Sequence, residues 1–247
     1  MTDRPLAPAR LLAVGDIHGY ADKLSALLAL VQPSAQDKLV FIGDYIDRGP
    51  DSSGVIERLI EFRKNFPDTA FLRGNHEQML LDWLENQDDD SREMFLMNGG
   101  QPTLDSYGHD LSDIPESHKN FIRATQLFHL ETVVEFDEIT KEIKERGYLF
   151  VHAGVKPKRP LEEQVPEDLL WIRDPFIRSP KPCGELIVVH GHTPTANVPS
   201  NAPYRISVDS GVYIKGPIKR SSRVLGGKLT CCDVLSRQFW QVPRRRR

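Results

Sequence analysis

Six short apolar runs most strongly constrain how this chain can fold. They occupy residues 11–14, 39–42, 70–72, 148–151, 186–189 and 205–208. Each is rich in Val, Ile, Leu or Phe without polar alternation, which is typical of strands buried on both faces. Between the first three runs, segments 21–31 and 53–66 space their apolar residues three and four apart and predict helices. Alternation of strand and helix predicts parallel βαβ units.

The remaining segments predict further elements of one α/β domain over residues 8–243. Helices are expected at 77–85 and 116–128 and strands at 131–136, 228–234 and 238–242. The last two strands suit an antiparallel edge or a second sheet. Asp51 and Ser52 are candidate caps for the second helix. Residues 76–145 are interpreted as a mostly helical insertion near the functional site, and residues 244–247 as a basic tail.

Composition excludes several classes of protein. Among 247 residues, 32 Lys and Arg against 35 Asp and Glu give a net charge of −3, without the basic excess of a nucleic-acid-binding domain. No run approaches the ~20 apolar residues of a membrane-spanning helix, and no signal peptide is predicted. Three cysteines cannot form a disulfide framework, so we expect a reducing, cytoplasmic location and neither nucleic-acid nor membrane partners.

Polar residues beside glycine follow these runs at the points where the strands should end. In open α/β sheets, ligands bind at the carboxyl ends of the strands. The candidate metal ligands found there are Asp16, His18, Asp44, Asn75, His152 and His192. Oxygen and imidazole donors without cysteine suit Mn²⁺, Fe or Zn²⁺. Six ligands are too many for one tetrahedral ion, so the sequence predicts two divalent ions that share a carboxylate. Two such ions, about 3.5–4 Å apart, can activate a water for attack on phosphate.

Five motifs carry a family resemblance: GDxHG from Gly15, GDxxDRG from Gly43, GNHE from Gly74, HAG from His152 and GHTP from Gly191. With them come MNGGQPT around Asn98–Thr103 and WIR at 171–173. In this order, they resemble the phosphoprotein phosphatases among the calcineurin-like metallophosphoesterases, closest to the bacterial and bacteriophage lambda type of serine/threonine phosphatase. The resemblance implies a single-domain α/β fold, with two mixed β-sheets sandwiched between helices.

The resemblance also implies roles for individual residues. Asp16 and His18 would hold the first metal, with Asp44 as the bridge, and Asn75, His152 and His192 would complete the second. His76 would act as the general acid, oriented by Asp47. Arg48 and Arg173 would bind phosphate. Because an alkoxide leaving group is very basic, a positioned acid of this kind should contribute about 10²–10⁴-fold, and guanidinium groups match phosphate oxygens bidentately.

The predicted function is therefore metal-dependent hydrolysis of phosphomonoesters, as a protein serine/threonine phosphatase. Manganese is the favoured metal, and iron or zinc is also compatible. The expected substrate is a phosphorylated protein or a small phosphoester, and no regulatory subunit is expected. A dinucleoside polyphosphate hydrolase, such as one acting on diadenosine tetraphosphate, is the alternative on the same metal centre. An inactive scaffold is the alternative of another class. His190 is expected to support His192, and Asp209 to support a metal ligand or to be structural.

Overall fold

A computed structural model of the protein describes residues 8–137, 142–195, 202–214, 218–220, 223–225 and 227–243. The predicted basic tail at 244–247 lies outside these residues. The strands are β1 (Leu11–Val14), β2 (Lys38–Phe41), β3 (Ala70–Phe71), β4 (Phe128–Asp137), β5 (Glu142–Val151), β6 (Ile187–His190), β7 (Arg205–Ser207), β8 (Ile218–Arg220), β9 (Arg223–Leu225), β10 (Lys228–Asp233) and β11 (Phe239–Pro243).

The helices are α1 (Ala21–Val31), α2 (Ser52–Asn65), α3 (Asn75–Asn86), α4 (Asp89–Phe95), α5 (Gln101–Tyr107), α6 (Glu116–Arg123) and α7 (Pro166–Trp171). A wider helical turn, Leu96–Gly100, joins α4 to α5. Helix α2 begins at a predicted cap, because the Asp51 carboxylate accepts a hydrogen bond from the Gly54 N–H at 2.8 Å. None of the helices in the described ranges is long and apolar enough to cross a membrane.

The strands form two mixed sheets and one separate hairpin. The first sheet has the order β11-β10-β1-β2-β3, with β1, β2 and β3 parallel and the two C-terminal strands antiparallel at one edge. The second has the order β4-β5-β6-β7, with β4 antiparallel to β5 and the other pairs parallel. The expectation of parallel βαβ units with an antiparallel C-terminal edge is confirmed.

The two sheets pack face to face and helices cover their outer faces. Ala13 and Val40 of the first sheet share a buried cluster with Phe150 and Val189 of the second. Such strands are buried on both faces, which explains their continuous apolar sequences. The outer face of the first sheet packs on α1, α2 and α3. That of the second packs on α7 around Leu169. The predicted sandwich is therefore observed.

The helix predicted at 116–128 ends at Arg123, earlier than the sequence pattern indicates. Beyond it the chain joins the open edge of β3. The Gln126 N–H donates to the Phe71 carbonyl at 2.9 Å, and the Arg73 N–H donates to the Gln126 carbonyl at 2.7 Å. Strand β4 then begins at Phe128, three residues before the predicted start. Pairing with distant residues outweighs local helical periodicity here.

Candidate metal centre

Asp44 lies among buried donor atoms at the carboxyl ends of the strands, and the space between these atoms is here called the pocket. Its two oxygens lie 3.4 Å from His152 Nε2 and 3.5 Å from His18 Nε2. Donor atoms fall within 4.8 Å of one another in two groups, one of His18, Asp44 and His76, the other of Asp44, His152 and His192. Asp44 therefore occurs in both groups, as a carboxylate shared by two ions would.

Backbone carbonyls on either side of Asp44 fix the orientation of two imidazole rings. His18 Nδ1 lies 3.0 Å from the Ile46 carbonyl, and His152 Nδ1 lies 3.1 Å from the Ile42 carbonyl. Because a carbonyl oxygen can only accept, each Nδ1 carries the hydrogen and each Nε2 presents a lone pair to the pocket. Burial lowers the pKa of both rings, which keeps them neutral and able to bind a metal.

Asn75 brings a neutral oxygen to the second group. As the first residue of α3, it places Oδ1 3.0 Å from His152 Nε2 and 2.9 Å from His192 Nδ1. The lone pair of His152 Nε2 thus faces the oxygens of Asn75 and Asp44. Acceptor atoms that converge without a hydrogen between them repel one another, and a cation bound among them removes the repulsion.

Negative charge is concentrated beside these donors. Asp16, directly after β1, is 3% exposed and accepts a hydrogen bond from the His192 N–H at 3.1 Å. Asp16 is outside the two tight groups. Burial, together with the charges of Asp209 and Asp44, raises the pKa of Asp16 well above its ordinary value. Burial likewise raises the pKa of Asp209 to about 7. Buried carboxylates this close need compensating positive charge, so the pocket fits divalent cations.

His76 and Asp47 form a buried pair at the same site. His76 Nδ1 lies 2.6 Å from Asp47 Oδ2, and both side chains are 0% exposed. Burial disfavours the charged ring, but the carboxylate of Asp44 and the hydrogen bond to Asp47 outweigh it and raise the pKa of His76. Its Nε2 is buried and has no hydrogen-bond partner among the described residues. This atom can deliver a proton into the pocket.

Two guanidinium groups lie beside the pocket. Arg48 Nη1 is 3.0 Å from His18 Nε2, and the guanidinium stacks 4.3 Å from the ring centroid of Tyr213. Arg173 is exposed and its Nη1 lies 3.4 Å from the Thr193 hydroxyl. Burial and a neighbouring imidazole are the main causes that lower the pKa of His192, and the positive charge of Arg173 lowers it further. The charge of Arg173 therefore acts on the pocket.

Backbone strain is concentrated in these loops. Five site residues other than glycine have positive φ, a region that such residues rarely adopt: His18 (46°), Asp44 (51°), Asp47 (73°), Arg48 (65°) and His192 (60°). Strained residues of this kind cluster at functional sites, where the surrounding structure holds them in place. Two motif glycines allow the close approach. A Cβ at Gly74 or Gly191 would lie 2.1 Å from an oxygen of Asp44 or Asp16, respectively.

Glu77, predicted from the sequence only as part of a helix, is a site residue. Its buried carboxylate accepts hydrogen bonds from the backbone N–H groups of Gly74 at 2.9 Å, Asp44 at 2.8 Å and Tyr45 at 2.8 Å. It therefore ties the loop after β2 to the start of α3. Its position inside the GNHE motif was the available signal.

We expect Glu77→Gln to destabilise the fold by about 3 kcal/mol, since an amide has one acceptor oxygen and leaves buried donors unpaired. At about 2–4 °C per kcal/mol for a chain of this size, the midpoint of thermal unfolding should fall by about 10 °C. Glu85→Gln, at an exposed position of the same helix, should shift it by less than about 2 °C. Calorimetry of both variants measures this, and equal midpoints would show that Glu77 does not hold the loop.

The MNGGQPT segment also contacts the site. The Gly99 carbonyl accepts a hydrogen bond from the Arg48 N–H at 2.9 Å, and the Thr103 hydroxyl lies 2.5 Å from Asp47 Oδ1. Tyr213, under Arg48, also meets the ring of His18 edge-on at 4.9 Å. In the sequence, this segment is linked to the site only through the family resemblance, and Tyr213 lies in no motif.

Comparisons with known proteins identify the family of this chain. The sequence model of the calcineurin-like phosphoesterase family matches residues 9–221 of this chain. Serine/threonine-protein phosphatase 1 of Salmonella typhimurium is 46% identical over 88 residues, which cover 35% of this chain and 37% of that protein. A symmetrical bis(5'-nucleosyl)-tetraphosphatase of Coxiella burnetii is 26% identical over 159 residues, 64% of this chain and 46% of that protein. This chain thus spans just under half the length of the Coxiella relative.

A solved structure has the same overall fold. The crystal structure of a candidate diadenosine tetraphosphatase superposes with a TM-score of 0.65 at 21% sequence identity. The match covers 99% of this chain and 97% of that one. At this identity the likeness concerns the fold alone.

Proposed function

Since the chain belongs to the calcineurin-like phosphoesterase family of metal-binding hydrolases, we propose that it is a protein serine/threonine phosphatase acting on phosphate monoesters. The observation that carries this proposal is the buried pair of His76 and Asp47, 2.6 Å apart beside the candidate metal groups. A serine or threonine alkoxide is a strongly basic leaving group, which departs readily only if it is protonated. A buried, oriented imidazole supplies that proton.

The metal ligands in this proposal form two overlapping sets. Asp16, His18 and Asp44 hold one divalent cation, and Asp44, Asn75, His152 and His192 hold the other. Bound there, the cations would withdraw charge from the phosphate oxygens and lower the pKa of a water. Carboxylate, amide and imidazole donors without thiolate favour manganese and also accept iron or zinc.

The other side chains bind the substrate and move the proton. The guanidinium groups of Arg48 and Arg173 donate hydrogen bonds to the nonbridging oxygens of the phosphate, which stay on phosphorus when the leaving oxygen departs. His76 Nε2 donates its proton to the leaving oxygen. Asp47 accepts from His76 Nδ1 and so stabilises the protonated ring and fixes its plane. Because Arg48 is held by Gly99 and Tyr213, its guanidinium group needs little reordering to bind the phosphate.

Diadenosine tetraphosphate is the second candidate substrate, favoured by the Coxiella relative that is named for this class of reaction. Hydrolysis of a phosphoanhydride releases a nucleotide whose oxygen is weakly basic. Such a leaving group gains less from a positioned acid. The complete acid pair therefore favours the monoester.

A direct comparison of substrates tests this choice. With the manganese-loaded protein, we expect kcat/KM on a phosphoserine or phosphothreonine peptide to exceed that on diadenosine tetraphosphate by about tenfold or more, because the acid accelerates only the monoester substantially. The Asp44→Asn protein, prepared identically, measures any contaminating phosphatase. Symmetrical cleavage of the dinucleotide that is a hundredfold faster would assign the protein to the alternative. No turnover of either substrate or of p-nitrophenyl phosphate would indicate a scaffold.

A further inference from the structure

We propose that Thr103 is a positioning residue for the acid pair, an inference that rests on the proposed function. The Thr103 hydroxyl lies 2.5 Å from Asp47 Oδ1, while Asp47 Oδ2 lies 2.6 Å from His76 Nδ1. The side chains of Thr103, Asp47 and His76 are all 0% exposed. Thr103 thus occupies the carboxylate oxygen that His76 does not.

Donors and acceptors can be assigned in one consistent way to the hydrogen bonds around Thr103. The Asp47 N–H donates to the oxygens of both Thr103 at 2.9 Å and Ser52 at 3.1 Å, and the two hydroxyls lie 2.9 Å apart. A hydroxyl has a single hydrogen. If Thr103 donated to Ser52, its oxygen would face Asp47 Oδ1 at 2.5 Å with no hydrogen between them. Thr103 therefore donates to Asp47, and Ser52 donates to Thr103.

This chain of hydrogen bonds fixes the plane of the Asp47 carboxylate. With Oδ1 held by Thr103, rotation of the carboxylate away from His76 would break two short hydrogen bonds between fully buried side chains. His76 Nδ1 then keeps its acceptor and Nε2 keeps its direction into the pocket. Buried partners of this kind typically change activity 10–100-fold when they are removed.

Thr103 lies on α5, outside the loops that carry the metal-binding residues. The turn before α5 contributes the Gly99 carbonyl, which accepts from the Arg48 N–H at 2.9 Å. One short segment, residues 99–103, therefore holds two consecutive residues of the loop after β2: Asp47 through a side chain and Arg48 through the backbone. The insertion acts on catalysis through these two contacts.

The test compares Thr103→Val, which removes the hydroxyl and keeps the shape, with Thr103→Ser, which keeps the hydroxyl. On phenyl phosphate, whose leaving group needs protonation, kcat of the valine variant should fall about 10–100-fold. On p-nitrophenyl phosphate, which needs little protonation, it should fall less than about threefold. KM and bound metal should not change. Thr103→Ser should recover kcat to within about threefold of the unmodified protein.

Thr125→Val is the matched control, since it removes another buried hydroxyl of the insertion, one bonded to the Ile122 carbonyl. It should leave the ratio of the two kcat values unchanged. The proton NMR spectrum of the zinc-loaded protein, in which the metal is diamagnetic, gives an independent measurement. The far-downfield signal of the His76 Nδ1–H, identified by its loss in His76→Asn, should shift or broaden in Thr103→Val and return in Thr103→Ser. If the valine variant does not fold, Thr103→Ala replaces it with the same expectations.

Equal losses on the two esters, or a serine variant as impaired as the valine variant, would overturn the role of Thr103. So would a valine variant with unchanged kcat and an unchanged downfield signal. Failure of the proposed function has a different signature. If the unmodified protein does not hydrolyse phosphate monoesters, or if His76→Asn affects both esters equally, the acid pair itself is wrong. A result confined to the Thr103 variants concerns this inference alone.

Discussion

Replacement of Asp44 by asparagine should lower kcat on every phosphoester by about a thousandfold or more, since removal of bound metal forfeits several kcal/mol of charge stabilisation. Asp44 occurs in both groups of donor atoms, so its loss should weaken both cation sites at once. Asparagine has nearly the same shape as aspartate and keeps a side-chain oxygen that can accept the hydrogen bond from the backbone N–H of His76. The folded structure should therefore survive.

Metal content and kinetics of the purified Asp44→Asn protein measure this effect. The metal bound per chain should fall in parallel with kcat, and thermal unfolding should show a cooperative transition. Asp168→Asn is the control, because it removes a partly buried carboxylate paired with Arg159 at 2.8 Å. It should keep full activity and full metal content. An Asp44→Asn protein that retained both metal and turnover would refute the shared-carboxylate arrangement.

Replacement of His76 by asparagine should separate proton donation from metal binding. We expect kcat on phosphoserine peptides to fall about 10²–10⁴-fold, the usual contribution of a positioned general acid. On p-nitrophenyl phosphate the loss should be about tenfold or less, since that leaving group needs little protonation. Bound metal should be unchanged, because the six proposed ligands are intact.

The matched control for His76→Asn is His118→Asn. His118 is also a buried histidine, 3% exposed, and bonds Tyr107 at 2.8 Å and Glu57 at 3.0 Å. Its replacement should reduce stability and leave the ratio of kcat between the two substrates unaltered. Equal losses on both substrates in His76→Asn would exclude the acid role. Loss of metal in that variant would instead make His76 a ligand, as its place in the first donor group would allow.

The placement of the site could be predicted because it depends on strand ends. Parallel strands direct their carboxyl ends to one edge of a sheet, so residues separated in sequence, such as Asp44 and His152, meet there. Short apolar runs locate these ends well. Alternation of apolar runs and helical periodicity also predicts the parallel pairing of β1, β2 and β3 and the helices α1 and α2, which begin and end within one residue of the predicted bounds. The arrangement in two sheets is implied only by the family resemblance.

Other features depend on contacts that no local pattern encodes. Helix α6 stops early because Gln126 pairs with the edge of β3, a partner distant in sequence. Thr103 reaches the site from α5 and Tyr213 from a loop after β7, whereas their neighbours Asp47 and Arg48 come from another part of the chain. Polar and aromatic residues of these types occur throughout any domain, so only the folded structure distinguishes them.

The central claim is that one pocket holds two cations through Asp44. Anomalous diffraction from a crystal of the protein grown with manganese tests it most directly. We expect two anomalous peaks, each within bonding distance of an Asp44 oxygen, one also bound by His18 and the other by His152. A single peak, or peaks bound away from Asp44, would contradict the claim.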